Sequence, residues 1–544
     1  MSGLPARLRR YWETVRHLRP VQIYGRLWFR TMYPRPRLEP APPMRIAPGP
    51  WQSPAQRRQS QLGPESSRFL NETRSLAEGW DNPAAPKLWR YNLHYFDDLN
   101  AEDAGSRLGW HVPLLTRWVA EHPPGAGNSG WEPYPTSLRI VNWIKWDRAG
   151  HPLPPDALHS LAVQARWLDA RLEYHLLGNH LFANAKALVF AGSFFAGAEA
   201  DHWRRRGLQI LAREIPEQLL RDGGQFELSP MYQALALEDL LDLVNILLST
   251  GEPVPNAWHA TVAAMLDWLA AMSHPDGEIA FFNDAATGTA PSPAQLQHYA
   301  ERLGYPARPA PEPGYQHLAD SGYIRLAGND AVALLDVARL GPDYLPGHAH
   351  ADTLSFELSL HGRRCIVNSG TSVYGVGPER LRQRGTAAHN TVEIDGQNSS
   401  EVWSGFRVAR RASPTGLAID QQLGGWVVAC SHDGYRWLAG RPRHRRRWTF
   451  GVHALAIADE VTGPFGRAVA AFHFHPELTP VPSADVGTGK LKRDDKVALR
   501  WQVSQGRAHL EPATWHPEFG LSLATHRLVV ELVGNASEVT FSWG

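Results

Sequence analysis

The chain has 544 residues, more than one hydrophobic core usually supports, so two large domains are expected. Charged residues make up 20% with a formal net charge of +1, which argues against a dedicated nucleic-acid binder, since that role needs a strongly basic domain or stripe. Only Cys365 and Cys430 are present, which excludes a disulfide framework or a thiolate-zinc cluster and leaves room for one bridge at most.

Along the chain, the first segment is Arg-rich with Trp, Tyr and Phe interleaved, and it lacks the continuous apolar run of a secretory signal. On that ground the chain is expected in the cytoplasm. The segment reads as an amphipathic helix packed on the body, with contact to an anionic membrane surface or polymer as the alternative. Residues 35–65 contain PRPRLEPAPP and PGPWQSP, which cannot hold regular helix or sheet, so residues 1–75 form an N-terminal extension running over the surface. From about Leu158 to Ser273 the spacing is helical, as in Leu237, Leu240, Leu241, Val244, Leu247 and Leu248. HPLPPD, DGGQFELSP, TGEPVPN and SHPDG break this stretch into helices in series, giving a helical domain over 76–314. No run approaches the length of a membrane span. Beyond the Pro-rich residues 306–314, short alternating runs such as YIRLA, LSFELSL, TVEIDG, WVVAC and EVTFSWG predict an antiparallel β domain over 315–544.

The densest polar signal is GHAHADTLSFELSLHGRRCIVNSGTSVYG, followed by AAHNTVEIDG. His348 and His350 alternate at what reads as the start of a strand, so both side chains are expected to face one site, and His389 precedes a strand that can pair alongside. His350 and His389 with one oxygen ligand suit a zinc-like ion. In LLGNHLFANAKALVF, Asn179, His180, Asn184 and Lys186 open an apolar helix; Asn179 is either its N-cap or a substrate contact. In DGGQFELSPMYQ, Pro230 at the first helical position leaves Tyr232 in the first turn, facing a cleft or packed. Tyr374 and Arg380 lie between the two His motifs, where Arg380, Arg382 and Arg384 either bind acidic groups of a ligand or form a solvated basic loop. Tyr91, His94 and Tyr95, with Trp131 and Tyr134, offer aromatic platforms for sugar rings or pack between helices.

GNHLFANAKALVFAGSFF, ELSPMYQ, GHAHADTLSF, SGTSVYG and AAHNTVEIDG, with YNLHYFDDL and WEPYPTSLRIVNWIKW before them, resemble in sequence and order the heparinase II/III family of polysaccharide lyases, itself similar to certain alginate lyases. The resemblance runs from about Trp89 to at least Gly396. It implies a multidomain α+β chain, an incomplete (α/α) toroid followed by an antiparallel β-sandwich-like domain, with a substrate cleft between them. It also implies β-elimination on an acidic, uronic-acid polysaccharide. There Asn179 and His180 would hold the uronate carboxylate, and Tyr232 and His348 would share the proton transfers, with base and acid unassigned. One structural divalent metal, zinc-like, would sit among His350, Asn368 and His389. Relatives carry Asp where this chain has Asn368, and loss of that charge weakens divalent-ion binding. The family's polymers lie outside the cytoplasm, so a periplasmic or secreted location stands as the alternative. Two other functions remain open: a toroidal glycoside hydrolase using carboxylates such as Asp222, Glu227 or Asp284, and a non-catalytic or modifying polymer-binding protein of exopolysaccharide assembly.

Overall fold

The computed structural model describes all residues except 1–3, 126, 423, 482, 484 and 486. Two helices, Leu4–Val15 and Pro20–Thr31, open the chain. Their large apolar side chains, Trp12, Leu27 and Trp28 among them, are mostly exposed, so the expectation of an apolar face packed on the body does not hold. The Pro-rich segment then runs extended across the helical domain. It meets carbonyls that helix ends leave without an internal partner: Arg45 N–H donates to Phe194 O (2.7 Å) and Gly49 N–H to Ser249 O (2.9 Å). A three-stranded antiparallel sheet over residues 61–75 follows.

The helical domain is built in two layers. Lys87–Tyr95, Pro133–Arg148, Gly178–Phe194 and Pro230–Ser249 pack side by side as an inner layer, each connected through an outer helix: Leu108–Glu121, Pro155–Ala170 and Ala198–Gln218. The sequence explains the division. Gly178–Phe194 and Pro230–Ser249 are mainly apolar and almost wholly buried, as an inner helix must be, and Lys186 of the first pairs with Asp239 and Asp242 of the second. Ala198–Gln218 instead buries Ala200, Trp203, Gly207, Ile210, Leu211 and Ile215, a stripe at helical spacing, and turns charged residues outward. Gly207 lets these two helices close on each other; a Cβ there would stand 2.6 Å from Ala185 O. Proline at the first position starts Pro133–Arg148, Pro155–Ala170, Pro230–Ser249 and Pro293–Arg302.

The change from helix to strand falls between Pro293–Arg302 and Gly314–Leu318. From there every strand pairing is antiparallel, in sheets of five, eight and four strands and a two-stranded ribbon. Strands such as Arg443–Phe450 and Ala454–Thr462 bury alternate residues. The inward ones, including Trp448, Phe450, Leu455 and Ile457, join Phe356, Phe472 and Phe541 in one core. Tyr323–Ala327 and Ala331–Asp336 are buried on both faces because the helical domain covers the second. Trp268, Met272 and Leu228 pack there against Tyr323 and Leu334. Tyr323 Oη–H donates to Leu228 O (2.6 Å), Trp268 Nε1–H to Ser321 Oγ (2.8 Å) and Arg325 to the carbonyls of Ala271 and Ser273. This joint fixes Leu228, and with it the segment carrying Tyr232. Cys365 and Cys430 are both free and buried, so no bridge forms.

Candidate active site

Three short segments meet at the boundary of the two domains. The first is the start of Gly178–Phe194. Leu177 occupies the cap position with φ 62°, a conformation unfavourable for a leucine, and Gly178 follows at φ 55°. Asn179 is therefore inside the first turn and is not the N-cap. It is half-buried, and its side chain makes no hydrogen bond to another described residue, which leaves its amide available to a ligand. His180 Nδ1 meets Glu173 Oε2 at 3.2 Å, and its ring lies 4.6 Å from that of Tyr134. Glu173 is fixed by Asn184, whose amide oxygen accepts from Glu173 N–H (2.8 Å) while its Nδ2 donates to Glu173 Oε2 (3.1 Å). Burial pulls the His180 imidazole down, but the nearby Glu173 carboxylate, with Glu227 and Glu132 farther off, raises it above the ordinary histidine value. The site thus sets an imidazole whose cationic form is favoured beside a free amide.

The second segment, residues 227–232, carries Glu227 and Tyr232. Leu228 between them has φ 60°, another strained position, held by the Tyr323 hydrogen bond. Ser229 caps Pro230–Ser249 through Tyr232 N–H (3.3 Å), which fixes Tyr232 in the first turn. A Cβ placed on Gly178 would stand 3.8 Å from Glu227 Oε1, so the Asn179–His180 turn adjoins this segment.

The third segment is residues 341–355, which forms turns and irregular backbone, not the expected strand. The two histidines consequently part company. His348 faces the cleft: its ring stacks on Tyr232 with centroids 3.9 Å apart, and its Nδ1 lies 2.6 Å from Glu227 Oε2. His350 is completely buried, with Nε2 2.8 Å from Asp284 Oδ1 and Nδ1 3.2 Å from His389 Nε2. Tyr374 Oη is 3.1 Å from Tyr232 Oη, and the Tyr374 ring is boxed edge-on by Phe406 and Phe519. Burial first, then Tyr374, Asp284 and Glu227, push the Tyr232 phenol well above the ordinary tyrosine value, so it is a neutral hydroxyl in the resting site.

Several expected ligand contacts belong to the interior. His94 is buried, stacks on Trp80 and accepts from Trp118 Nε1–H (3.1 Å). Trp131 is buried between Trp118 and Trp167 and donates to His122 O (3.2 Å). Tyr95 is largely buried against Tyr134, while Tyr91, half-buried, donates its hydroxyl to Glu132. Tyr134 alone of these five touches a candidate catalytic residue, His180. Arg380 is 1% exposed and forms a two-point ion pair with Asp284, its Nη2 2.6 Å from Oδ2, while Nε donates to Gly405 O (3.0 Å). It lies behind Tyr374, 5.0 Å from the ring, and offers no N–H to a ligand. Arg384 is equally buried on the carbonyls of Ala349 and Gly405, whereas Arg382 is 46% exposed and binds Glu379 and Thr514, so of the three only Arg382 stays at the surface.

The expected metal ligands lie in a row, with the His350 and His389 rings between Asp284 and Asn368. Asn368 Oδ1 lies 3.3 Å from His389 Nδ1, on the edge of that ring opposite His350, so the amide cannot join His350 Nδ1 and His389 Nε2 around one ion. Among the described residues no group of three or more His, Cys, Asp or Glu side chains is placed to hold a metal. Two imidazole nitrogens fall short of the four ligands a structural zinc takes, so this donor set does not fit one. Burial pulls both imidazoles down, and the like-charge neighbourhood of His350 and His473 adds to this at His389, which suits neutral rings passing one hydrogen bond.

A family model described as the heparinase II/III N-terminus matches residues 127–309, and one described as heparinase II/III-like, C-terminal, matches 310–544. The chain belongs to the heparinase II/III family. A heparin-sulfate lyase of Bacteroides stercoris is 29% identical over 315 residues, 53% of this chain and 44% of that protein. One from Pedobacter heparinus is 30% identical over 265 residues, 44% of this chain and 39% of that protein. This chain thus aligns with less than half the length of either relative. A crystal structure of a heparan sulfate lyase mutant from Pedobacter heparinus superposes with a TM-score of 0.60 at 20% identity, over 90% of this chain and 82% of that one, a likeness of fold. In this heparinase II/III fold, the residues that sequence reasoning missed as supports are Glu173 and Glu227. Glu227 had drawn notice only as a hydrolase carboxylate, and its partner His348 stands 121 positions away in the chain.

Proposed function

We propose that this chain is a polysaccharide lyase that cleaves a uronic-acid polymer by β-elimination, with His348 as base and Tyr232 as acid. The observation carrying this reading is the Tyr232–His348 stack with Glu227 behind it. An ionised carboxylate only accepts, so Glu227 keeps the proton on His348 Nδ1 and leaves the Nε2 lone pair for the substrate. His348 Nε2 takes the proton from C5 of the uronate. The released electron pair becomes the C4–C5 double bond, the bond from C4 to the glycosidic oxygen breaks, and Tyr232 Oη–H protonates that oxygen. Proton return from His348 to the tyrosinate, across the stack, resets the site. Cationic His180 and the amide of Asn179 bind the uronate carboxylate and stabilise the charge that builds as C5 is deprotonated. Tyr134, beside His180, lines the same subsite.

The hydrolase alternative needs two carboxylates facing one bond. Asp284 is buried in its pair with Arg380, and Asp222 accepts from Ser321 N–H (2.7 Å) and Oγ–H (2.8 Å), which removes both as partners for Glu227 across the cleft. With Arg380 and Arg384 committed internally, that segment offers only Arg382, itself paired with Glu379, to a sulfate group, which favours a sparsely sulfated or unsulfated uronate. Heparan sulfate heads the panel because of the relatives' names, with alginate and bacterial exopolysaccharide uronates beside it. Incubation with each should yield an ultraviolet-absorbing unsaturated uronate on at least one. New reducing ends without that chromophore would mean hydrolysis, and binding to a polymer without cleavage would mean a binding protein.

A further inference from the structure

The two N-terminal helices are amphipathic in the inverted sense. On Leu4–Val15, the residues Leu4, Leu8, Tyr11, Trp12 and Val15 fall at i, i+4, i+7, i+8 and i+11, one stripe of a helix, and all are exposed. On Pro20–Thr31, Ile23, Tyr24, Leu27 and Trp28 form a second stripe, also exposed, with Trp28 at 64%. A soluble domain turns such stripes inward. Here Phe29 packs on His175 and Val21 against the helical core, Tyr11 keeps an edge contact with Trp403, and the other attachments to the body are polar. Thr14 Oγ1 accepts from Trp403 Nε1–H (3.1 Å), Arg10 pairs with Glu401 (2.7 Å), and Gln22 Nε2 donates to Tyr344 O (3.0 Å).

Charge completes the pattern. Between residues 4 and 33 the sequence carries Arg7, Arg9, Arg10, Arg16, Arg19, Arg26 and Arg30 against the single acid Glu13. Arg10, Arg16 and Arg19 pair with Glu401, Glu13 and Glu217. Among the described residues Arg7, Arg9, Arg26 and Arg30 have no acidic partner, and Arg26 is crowded by Arg30 and Arg407. Aliphatic and indole side chains flanked by unpaired arginines are the composition of a helix lying in a lipid headgroup layer.

We propose that these two helices seat the protein on an anionic lipid bilayer. Leucine and isoleucine give a hydrated polysaccharide nothing to bind, which separates this face from a polymer subsite. A second copy of the chain would set unpaired arginines against their equals. The second helix touches Tyr344, four residues before His348, and Gly25 lies against His175, five residues before His180. The seat is therefore at the rim of the catalytic cleft, and bound enzyme would work on polymer at the membrane surface. No described helix is long and apolar enough to cross it.

The test is sedimentation of the full chain with vesicles of phosphatidylglycerol and phosphatidylcholine, against vesicles of phosphatidylcholine alone. Expected are binding to the anionic vesicles, weakened by salt, and a loss of more than about tenfold for Leu27→Glu/Trp28→Glu and for Arg26→Gln/Arg30→Gln, with unchanged melting temperatures. Quenching of wild-type tryptophan fluorescence by spin-labelled lipid needs no variant and is expected with anionic vesicles only. Equal binding to both vesicle types, or none, overturns the proposal. So does a wild-type dimer that Leu27→Glu/Trp28→Glu renders monomeric without any vesicle binding. Retention on heparin through Arg26 and Arg30 in the absence of vesicle binding overturns it in favour of an acidic polymer.

Discussion

Glu227→Gln isolates the positioning of the base. The side chain is 2% exposed and 2.6 Å from His348 Nδ1, so the amide fits the same space and its oxygen still accepts the Nδ1 proton. What disappears is the charge that stabilises the imidazolium once the C5 proton arrives. A hydrogen bond to a charged group contributes about 1.5–3 kcal/mol and one to a neutral group about 1 kcal/mol, so the transition state loses about 0.5–2 kcal/mol. At about 1.4 kcal/mol per tenfold, kcat should fall about 2–30-fold, with KM held within about twofold. The assay is the initial rate of chromophore formation over a range of polymer concentrations, with the melting temperature measured alongside. Glu227→Asp, which keeps the charge, should recover part of kcat. An unchanged kcat in Glu227→Gln, or a loss carried entirely by KM, would refute the assignment of His348 as a base held by Glu227.

Glu173→Gln should raise KM about tenfold near neutral pH by withdrawing the support of the His180 cation. Because Glu173 raises His180, the cation and its contribution to stability are fully present below the ordinary histidine value and are lost as pH rises through the folded-state value. Wild-type KM should accordingly climb on the alkaline side, and in Glu173→Gln the climb should begin at lower pH. A profile unmoved by the substitution would refute this role. Arg380→Met leaves Asp284 buried and unpaired, which should destabilise the fold by about 3–5 kcal/mol in denaturant unfolding, with Asp284→Asn beside it restoring part. A loss below about 1 kcal/mol would show the pair to be solvated. Treatment with a chelator should leave both melting temperature and activity unchanged; elemental analysis finding about one zinc per chain would contradict the hydrogen-bonded reading of His350, His389 and Asn368.

Much of the architecture was legible because inner and outer helices differ in pattern. The apolar run from Ala187 to Ala191 and the striped Ala198–Gln218 announce their layers without any contact information. Proline at helix starts placed Tyr232 correctly in a first turn. The histidines were harder. Alternation in GHAHAD suggests a strand, yet Asp284 N–H binds His348 O (3.0 Å) and pins this segment as irregular chain, so two residues of spacing separate a cleft histidine from a buried one. Arg380 looks like a ligand-binding cation because its partner is 96 positions away. His94 and Trp131 carry ligand-like chemistry, but His94 Nδ1 and Trp131 Nε1 are engaged inside the helical layers. At the N-terminus the amphipathic period was clear, while the direction of its apolar face depended on which groups the body presents to it.

The central claim, elimination carried out by Tyr232 and His348 at the domain boundary, is tested most directly by the rate of unsaturated-uronate formation for wild type, Tyr232→Phe and His348→Ala on a polymer all three bind equally. The account predicts chromophore from wild type and a loss of at least about a hundredfold in each variant, the range of general acid–base catalysis. Wild-type rates in either variant, or cleavage by wild type that generates reducing ends without the chromophore, would contradict it.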